Sequence, residues 1–173
     1  MSQRMTYREL FQQNTRRQRL LQLRIAGYDY AVSGADVIGV QTAQTVRLAG
    51  AHFPGHLGFA PLHRATGADE IPVVDISYLL GQGMLPRTDE NFVVTVRHPD
   101  APLGLLCGGL PRHLAYPADD LWSLPPALLN RQRPCFRGAF RSVDGALIVL
   151  LHVEQLLTAA ERAALVRRDE EGA

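Results

Sequence analysis

The strongest constraint on this chain is how often it is interrupted. Short apolar and β-branched segments recur about every ten residues, each closed by glycine, proline, asparagine or aspartate, and no helical period separates them. Residues 20–26 alternate loosely, Gly27 marks a tight turn, and 28–32 read as the returning strand of a hairpin. Ser33 can cap a brief helix over 35–37, and 40–48 alternate again. The run AGAHFPGHLG at 49–58 breaks any regular element. Strand-like segments follow at 57–63, 71–75, 92–96, 104–107, 136–141 and 147–153, the last two joined by the hairpin signal Asp144-Gly145. Pro72 marks an edge position or a strand start, because it cannot donate to a ladder. A Pro-rich polar stretch covers 111–126, where no strand is expected. About nine or ten strands without strand–helix alternation argue for all-β barrels rather than a parallel sheet.

Apart from that brief helix after Ser33, helical signals are confined to the ends. Tyr7, Leu10 and Phe11 give 6–19 one modest apolar face, and 159–168 are rich in helix formers, with Arg167 and Arg168 at the favourable C-terminal end. The chain therefore divides into an N-terminal helical extension (1–19), a β domain (20–158) and a C-terminal helix with a frayed tail (159–173).

Composition removes several classes of function. Eighteen bases oppose seventeen acids, and all the bases are arginine, so there is no lysine for a Schiff base or a phosphate loop. A net charge of +1 lacks the field of a nucleic-acid binder. The arginines Arg4, Arg8, Arg16, Arg17, Arg19 and Arg24 oppose only Glu9 at the start of the chain; with Tyr7 and Phe11 as their only aromatics, they read as a solvated or docking face. The longest apolar run, 146–151, is too short to cross a bilayer, and the N-terminus carries no signal-peptide pattern, so the expected location is the cytoplasm.

Catalytic machinery is not apparent. Cys107 and Cys135 have no partner at metal spacing and read as reduced core residues. His52 and His56 would share a helix face, but Phe53-Pro54-Gly55 forbids the helix, so they read as exposed loop histidines. Asp69-Glu70 and Asp119-Asp120 are adjacent carboxylates of the kind found in solvated turns and caps. No nucleophile elbow, phosphate loop or dinucleotide fingerprint occurs, and no enzyme activity, metal or cofactor is expected.

Asp75-Ile76-Ser77 followed by Gly81 is similar to the Asp-x-Ser-x-x-Gly pattern of PilZ domains, which bind cyclic di-GMP. The glycine is one residue late and the arginines lie far upstream, so this stands as the alternative reading. The whole string from Ile71 to Gly81, Ile-Pro-Val-Val-Asp-Ile-Ser-Tyr-Leu-Leu-Gly, resembles the Ile-Pro-Val-x-Asp-Leu-x-x-x-Leu-Gly signature of CheW-like domains, the adaptors of bacterial chemosensory arrays. Other segments agree in order. Residues 23–32 resemble the family's opening hairpin, 92–96 and 103–107 its middle strands, and 136–140, Asp144-Gly145 and 147–151 its closing hairpin.

The resemblance implies a mainly β fold of two interlocked five-stranded SH3-like β-barrels with short N- and C-terminal helices and a hydrophobic groove between the barrels. It implies a non-catalytic adaptor that couples the signalling tip of a methyl-accepting chemoreceptor to a CheA-type histidine kinase, with no nucleic acid and no membrane insertion. The N-terminal helix and the Phe-Arg-Gly-Ala-Phe strand are similar to the PilI-type adaptors of type IV pilus systems. The family's Asn-Leu-Arg-Gly hairpin stands here as Pro61-Leu62-His63-Arg64, so the resemblance assigns receptor contact to His63 and Arg64. Val37, Val40 and Val46 are the candidates for a partner-binding groove, their other reading being ordinary barrel core.

Overall fold

The computed structural model describes residues 17–64, 67–117, 120–128 and 133–171. Its strands are β1 (Arg17–Ile25), β2 (Tyr28–Ser33), β3 (Val37–Thr42), β4 (Arg47–Leu48), β5 (His56–Arg64), β6 (Gly67–Asp75), β7 (Asn91–Val96), β8 (Leu103–Gly108), β9 (Arg112–Pro117), β10 (Phe136–Arg141) and β11 (Leu147–Leu151). Helix α1 (Ile76–Leu79) follows β6, and α2 (Ala159–Glu171) closes the described chain. One sheet of five strands runs β10-β11-β2-β1-β9, and another of six runs β3-β7-β8-β6-β5-β4. The chain thus begins in the first sheet, builds all of the second, and returns to finish the first.

The fold is mainly β, as expected, and its sixth strand has a simple origin. β3 and β4 are separated only by Val46 and a single 3-10 turn, Ala43–Thr45, yet β3 pairs with β7 and β4 with β5. They are one stretch of chain, bent so that it supplies both edges of the sheet. Gln41 Nε2 reaches across and donates to the Pro61 carbonyl at 3.2 Å. The first sheet repeats the device: after β9 on one edge, Trp122 exchanges two backbone hydrogen bonds with Ala139 on the other, at 2.8 and 2.9 Å. Both sheets also share one ladder pattern, a central parallel pair (β2 with β11, β6 with β8) flanked by antiparallel pairs. Each is therefore a small barrel whose edges are joined by an interrupted strand.

The alternation of side chains along the strands explains the packing. In β1, Leu21, Leu23 and Ile25 face a central core with Tyr30 and Val32 of β2, while Leu20 points the other way, into the first barrel with Ala31, Phe140, Ile148 and Leu150. In the second sheet Val94, Val96, Leu103, Leu105 and Cys107 face the same central core, and Ile71, Val73, Val93 and Leu106 fill the second barrel. Strands buried on both faces must be apolar at successive positions, which is why Phe-Val-Val-Thr-Val and Leu-Gly-Leu-Leu-Cys lack strict alternation. Each of these leucines and valines contributes about 1.5–3 kcal/mol by burial. In β8, Gly104 is required by space: a Cβ there would lie 2.9 Å from methyls of both Val73 and Val93.

Several sequence expectations are corrected. The brief helix expected over 35–37 is a turn, with Asp36 N–H donating to Ser33 O at 3.0 Å and Val37 N–H to Gly34 O at 3.3 Å, and β3 starts within it. The strand expected over 40–48 is divided by the 3-10 turn. Pro72 lies in an interior strand, tolerated because the parallel ladder to β8 begins only at Val73. β9 occupies the start of the Pro-rich stretch: Leu114 and Tyr116 turn inward between Pro111 and Pro117, and two flanking prolines suit an edge strand. β1 begins at Arg17, inside the segment expected to be a helical extension; the rest of that expected helix, up to residue 16, lies outside the described residues. Helix α2 runs on to Glu171, into the expected frayed tail.

Candidate interaction surface

β3 presents the first part of the surface. Its burial alternates, Val37, Gly39 and Gln41 being half-buried and Ile38, Val40 and Thr42 exposed. A register shift between Val37 and Gly39 lets both Val37 and Val40 pair with valines of the central-core face of β7, Val96 and Val94: Val37 packs on the central core, and Val40, on the same face, is 44% exposed beside Ile38 at 39%. Val46 follows the bend, half-buried against the second barrel's core, and lines a concavity of about 310 Å³ with Leu48, Leu106, Gln44, Arg87 and Asp89. Leu48 is 63% exposed at the rim. Ile38 and Leu48 escaped the sequence reading, although Ile38 shares the two-residue period of Val40.

His63 and Arg64 end β5, where their backbones pair with Ala68 and Gly67 of β6; their side chains are outside what the structure describes. They belong to the same barrel as β3 and β4, on the strand that β4 joins and that Gln41 bridges. Near this hairpin, Arg47 forms an ion pair with Glu70 at 2.6 Å and lies 5.9 Å from the centre of the Phe59 ring, an exposed charged border to the apolar stripe. That pair also places Glu70 in β6, outside the solvated turn expected for Asp69-Glu70.

The inter-barrel face supplies a second apolar region. Tyr28, Tyr30 and Val32 share one side of β2; Tyr30 is buried and stacks on Phe136 with centroids 6.4 Å apart, whereas Tyr28 is 62% exposed. On β11, Val149 packs on the central core, and Leu147, on the same side of the strand, is 53% exposed. The face that joins the barrels thus continues into solvent as an apolar margin. Tyr30 also ties the barrels together, its hydroxyl accepting a 2.6 Å hydrogen bond from Gln82 beyond α1, and burial pushes its pKa upward.

Asp75 is the polar anchor beneath this surface. Fully buried, it caps α1: Oδ1 accepts from Tyr78 N–H at 3.2 Å and Oδ2 from Leu85 N–H at 2.8 Å, while its own N–H donates to Gly55 O at 2.8 Å. Asp75 and Ser77 are at 0% and 1% exposure, so this motif faces the interior, where no phosphate could approach it as the cyclic di-GMP reading requires.

The remaining candidates are occupied by packing. His56 is buried, contrary to the exposed-loop expectation; its Nδ1 accepts from His52 N–H at 3.3 Å, and its ring sits 5.7 Å from Phe53 and 5.1 Å from Phe59. Cys107 and Cys135 are buried and unbridged, and burial pushes their thiols up to about 12 and about 11, which keeps them protonated and poorly nucleophilic. Among the described residues no His, Cys, Asp or Glu cluster has the makings of a metal site, and no helix is long and apolar enough to cross a membrane.

A family model described as CheW-like domain matches residues 19–161. Among solved structures, the scaffolding protein TtCheW from Thermoanaerobacter tengcongensis is similar in fold, with a TM-score of 0.70 at 16% identity over 82% of this chain and 88% of that one. No curated protein matches the sequence.

Proposed function

The chain belongs to the CheW-like domain family, and on that premise we propose that it is a non-catalytic cytoplasmic adaptor coupling a chemoreceptor signalling tip to a CheA-type histidine kinase. The observation that supports this most directly is the solvent-facing apolar stripe of Ile38 and Val40, continued by Val46 and Leu48 around the bend of one interrupted strand. An edge strand with outward aliphatic side chains suits the end-on contact of one barrel with a homologous barrel. Val37, on the same face as Val40, joins that stripe to the central core. His63 and Arg64 stand on the neighbouring strand as the receptor contact, with the exposed margin at Tyr28 and Leu147 available to an apolar helix face.

A pull-down with purified kinase regulatory domain and receptor signalling tip from the same organism tests the proposal. Capture of at least one supports it, and binding to neither overturns it. The N-terminal segment and the Phe136–Arg141 strand favour a pilus-type output over a flagellar one. Deletion of the gene should then impair twitching and leave swimming intact.

A further inference from the structure

The inward-facing positions of the first barrel change character along its axis. Leu20 of β1, Ala31 of β2, and Leu114 and Tyr116 of β9 belong to its apolar core, yet the inward positions nearer the β1–β2 turn are Gln22, Arg24, Asp29 and Arg112. These line a cavity of about 350 Å³, closed at the side by Gly108, Gly109 and Leu110 and at the rim by Asp144 of the β10–β11 turn. The Gly108-Gly109 pair, unexplained by any motif, belongs to this wall: a Cβ on Gly108 would stand in ordinary contact with the Arg24 carbonyl at 3.5 Å, and Gly109 turns the chain with φ +77°, a conformation that favours glycine. Polar groups converging in a barrel mouth of this size are the usual setting for a small ligand.

The charges in the mouth are balanced and oriented. Arg24 Nη1 donates to both oxygens of Asp29, at 2.9 and 2.8 Å, and Asp29 is 13% exposed, so the guanidinium is held in place with Nε and Nη2 outside that pair. Arg112 makes no ion pair among the described residues. Asp144 takes a hydrogen bond from the Ser142 hydroxyl, which with neighbouring backbone groups and Arg112 keeps its carboxyl below the usual range and hence ionised. A polyanion entering the mouth would meet Asp29 and Asp144, and a polycation would meet Arg24 and Arg112. A molecule with one charge of each sign a few ångströms apart satisfies both halves.

We propose that the mouth of the first barrel binds a small zwitterion of the α-amino acid class, its carboxylate held by Arg24 and Arg112 and its ammonium by Asp144. The site lies on the five-stranded sheet, away from the β3–β4 stripe, and does not depend on the adaptor reading.

The test is a titration of the isotope-labelled full chain with each standard α-amino acid, read from backbone amide resonances. At least one should perturb Gln22, Gly108, Gly109 and Arg112 with a Kd of about 0.1–1 mM, a range suited to a small polar ligand. Arg112→Gln, and separately N-acetylation or amidation of that amino acid, should each weaken binding by about tenfold. Asp144→Asn should act like N-acetylation, which keeps the test open if Arg112→Gln unfolds the chain. The proposal is overturned if no amino acid perturbs these resonances, if acetate or inorganic phosphate binds equally well, or if these folded variants bind like the parent.

Discussion

Arg133 holds Glu161 with both Nη atoms, at 2.8 and 2.7 Å, and so pins the first turn of α2 to the end of the first barrel. Arg133 also donates to the Leu156 carbonyl, while Glu161 accepts from Thr158 N–H at 2.7 Å and Thr158 Oγ1 accepts from Glu161 N–H at 3.3 Å. This is a capping box with a clamp upon it. The side chains are 11% and 15% exposed, so Arg133→Ala should cost about 3 kcal/mol by leaving a largely buried carboxylate without its partner. Urea melts check the value, and Arg133→Met with Glu161→Leu should recover most of the loss.

The β1–β2 turn stores a little strain. Ala26 has φ +48° and Gly27 φ +85°, the two positive values of a type I′ turn, and alanine is poorly suited to the first. Ala26→Asn should raise stability by about 1 kcal/mol. A melting temperature equal to or below the parent's would count against this.

Space inside the second barrel is the limit at Gly104. Gly104→Val should destabilise the chain by about 3 kcal/mol, because methyls of Val73 and Val93 already occupy the position, and Gly104→Ala should cost less. Denaturant midpoints for the pair should fall in that order.

His98 gives stability a pH dependence. It is buried, and burial foremost, with Arg162 adding to it, lowers its pKa against the opposing pull of Asp100 and Glu154. The unfolded chain then takes up the proton first, so stability is full above about pH 6.5 and declines as pH falls below that value. Melting temperatures at pH 7.5 and 5.5 should differ less in His98→Gln than in the parent.

Partner contacts should separate by residue. Val40→Asp should weaken kinase-domain binding, and Arg64→Ala should weaken receptor binding with kinase binding nearly unchanged. Val40→Asp, an exposed substitution, should melt within about 1 °C of the parent, and Arg64→Ala should leave the melting temperature nearly unchanged. An Arg64→Ala variant that binds receptor normally would remove Arg64 from the contact.

Much of this arrangement was legible locally. The turns at Gly27 and Asp144-Gly145, the strands between them and the closing helix follow from backbone preference and period, which act over a few residues. What escaped has long-range causes. Leu114 and Tyr116 alternate over too short a span to outweigh the surrounding prolines until β1 is there to pair with them. Val37 and Val40 looked alike as valines; the register shift of β3 against β7 puts both on one face, which the central core covers at Val37 and leaves open at Val40. Thr158 and Glu161 have capping-box spacing, but the arginine that clamps them lies across the fold. The charges of the barrel mouth were invisible for the same reason, since Arg24, Arg112 and Asp144 come together only when β9 pairs with β1 and the β10–β11 hairpin closes on β2.

The course of the chain also orders its synthesis. The second barrel spans β3 to β8 without a break, so all of its strands are available once Gly108 has left the ribosome. β1 and β2 emerge earlier but remain a lone hairpin until β9, β10 and β11 arrive, and such a pair is marginal by itself. Leu21, Leu23 and Ile25 can be sheltered sooner, because their side of β1 rests on the central core that the completed second barrel already offers. The nascent chain therefore has a template on which to hold its first hairpin, and the face of β1 carrying Leu20 is the one left waiting for cover.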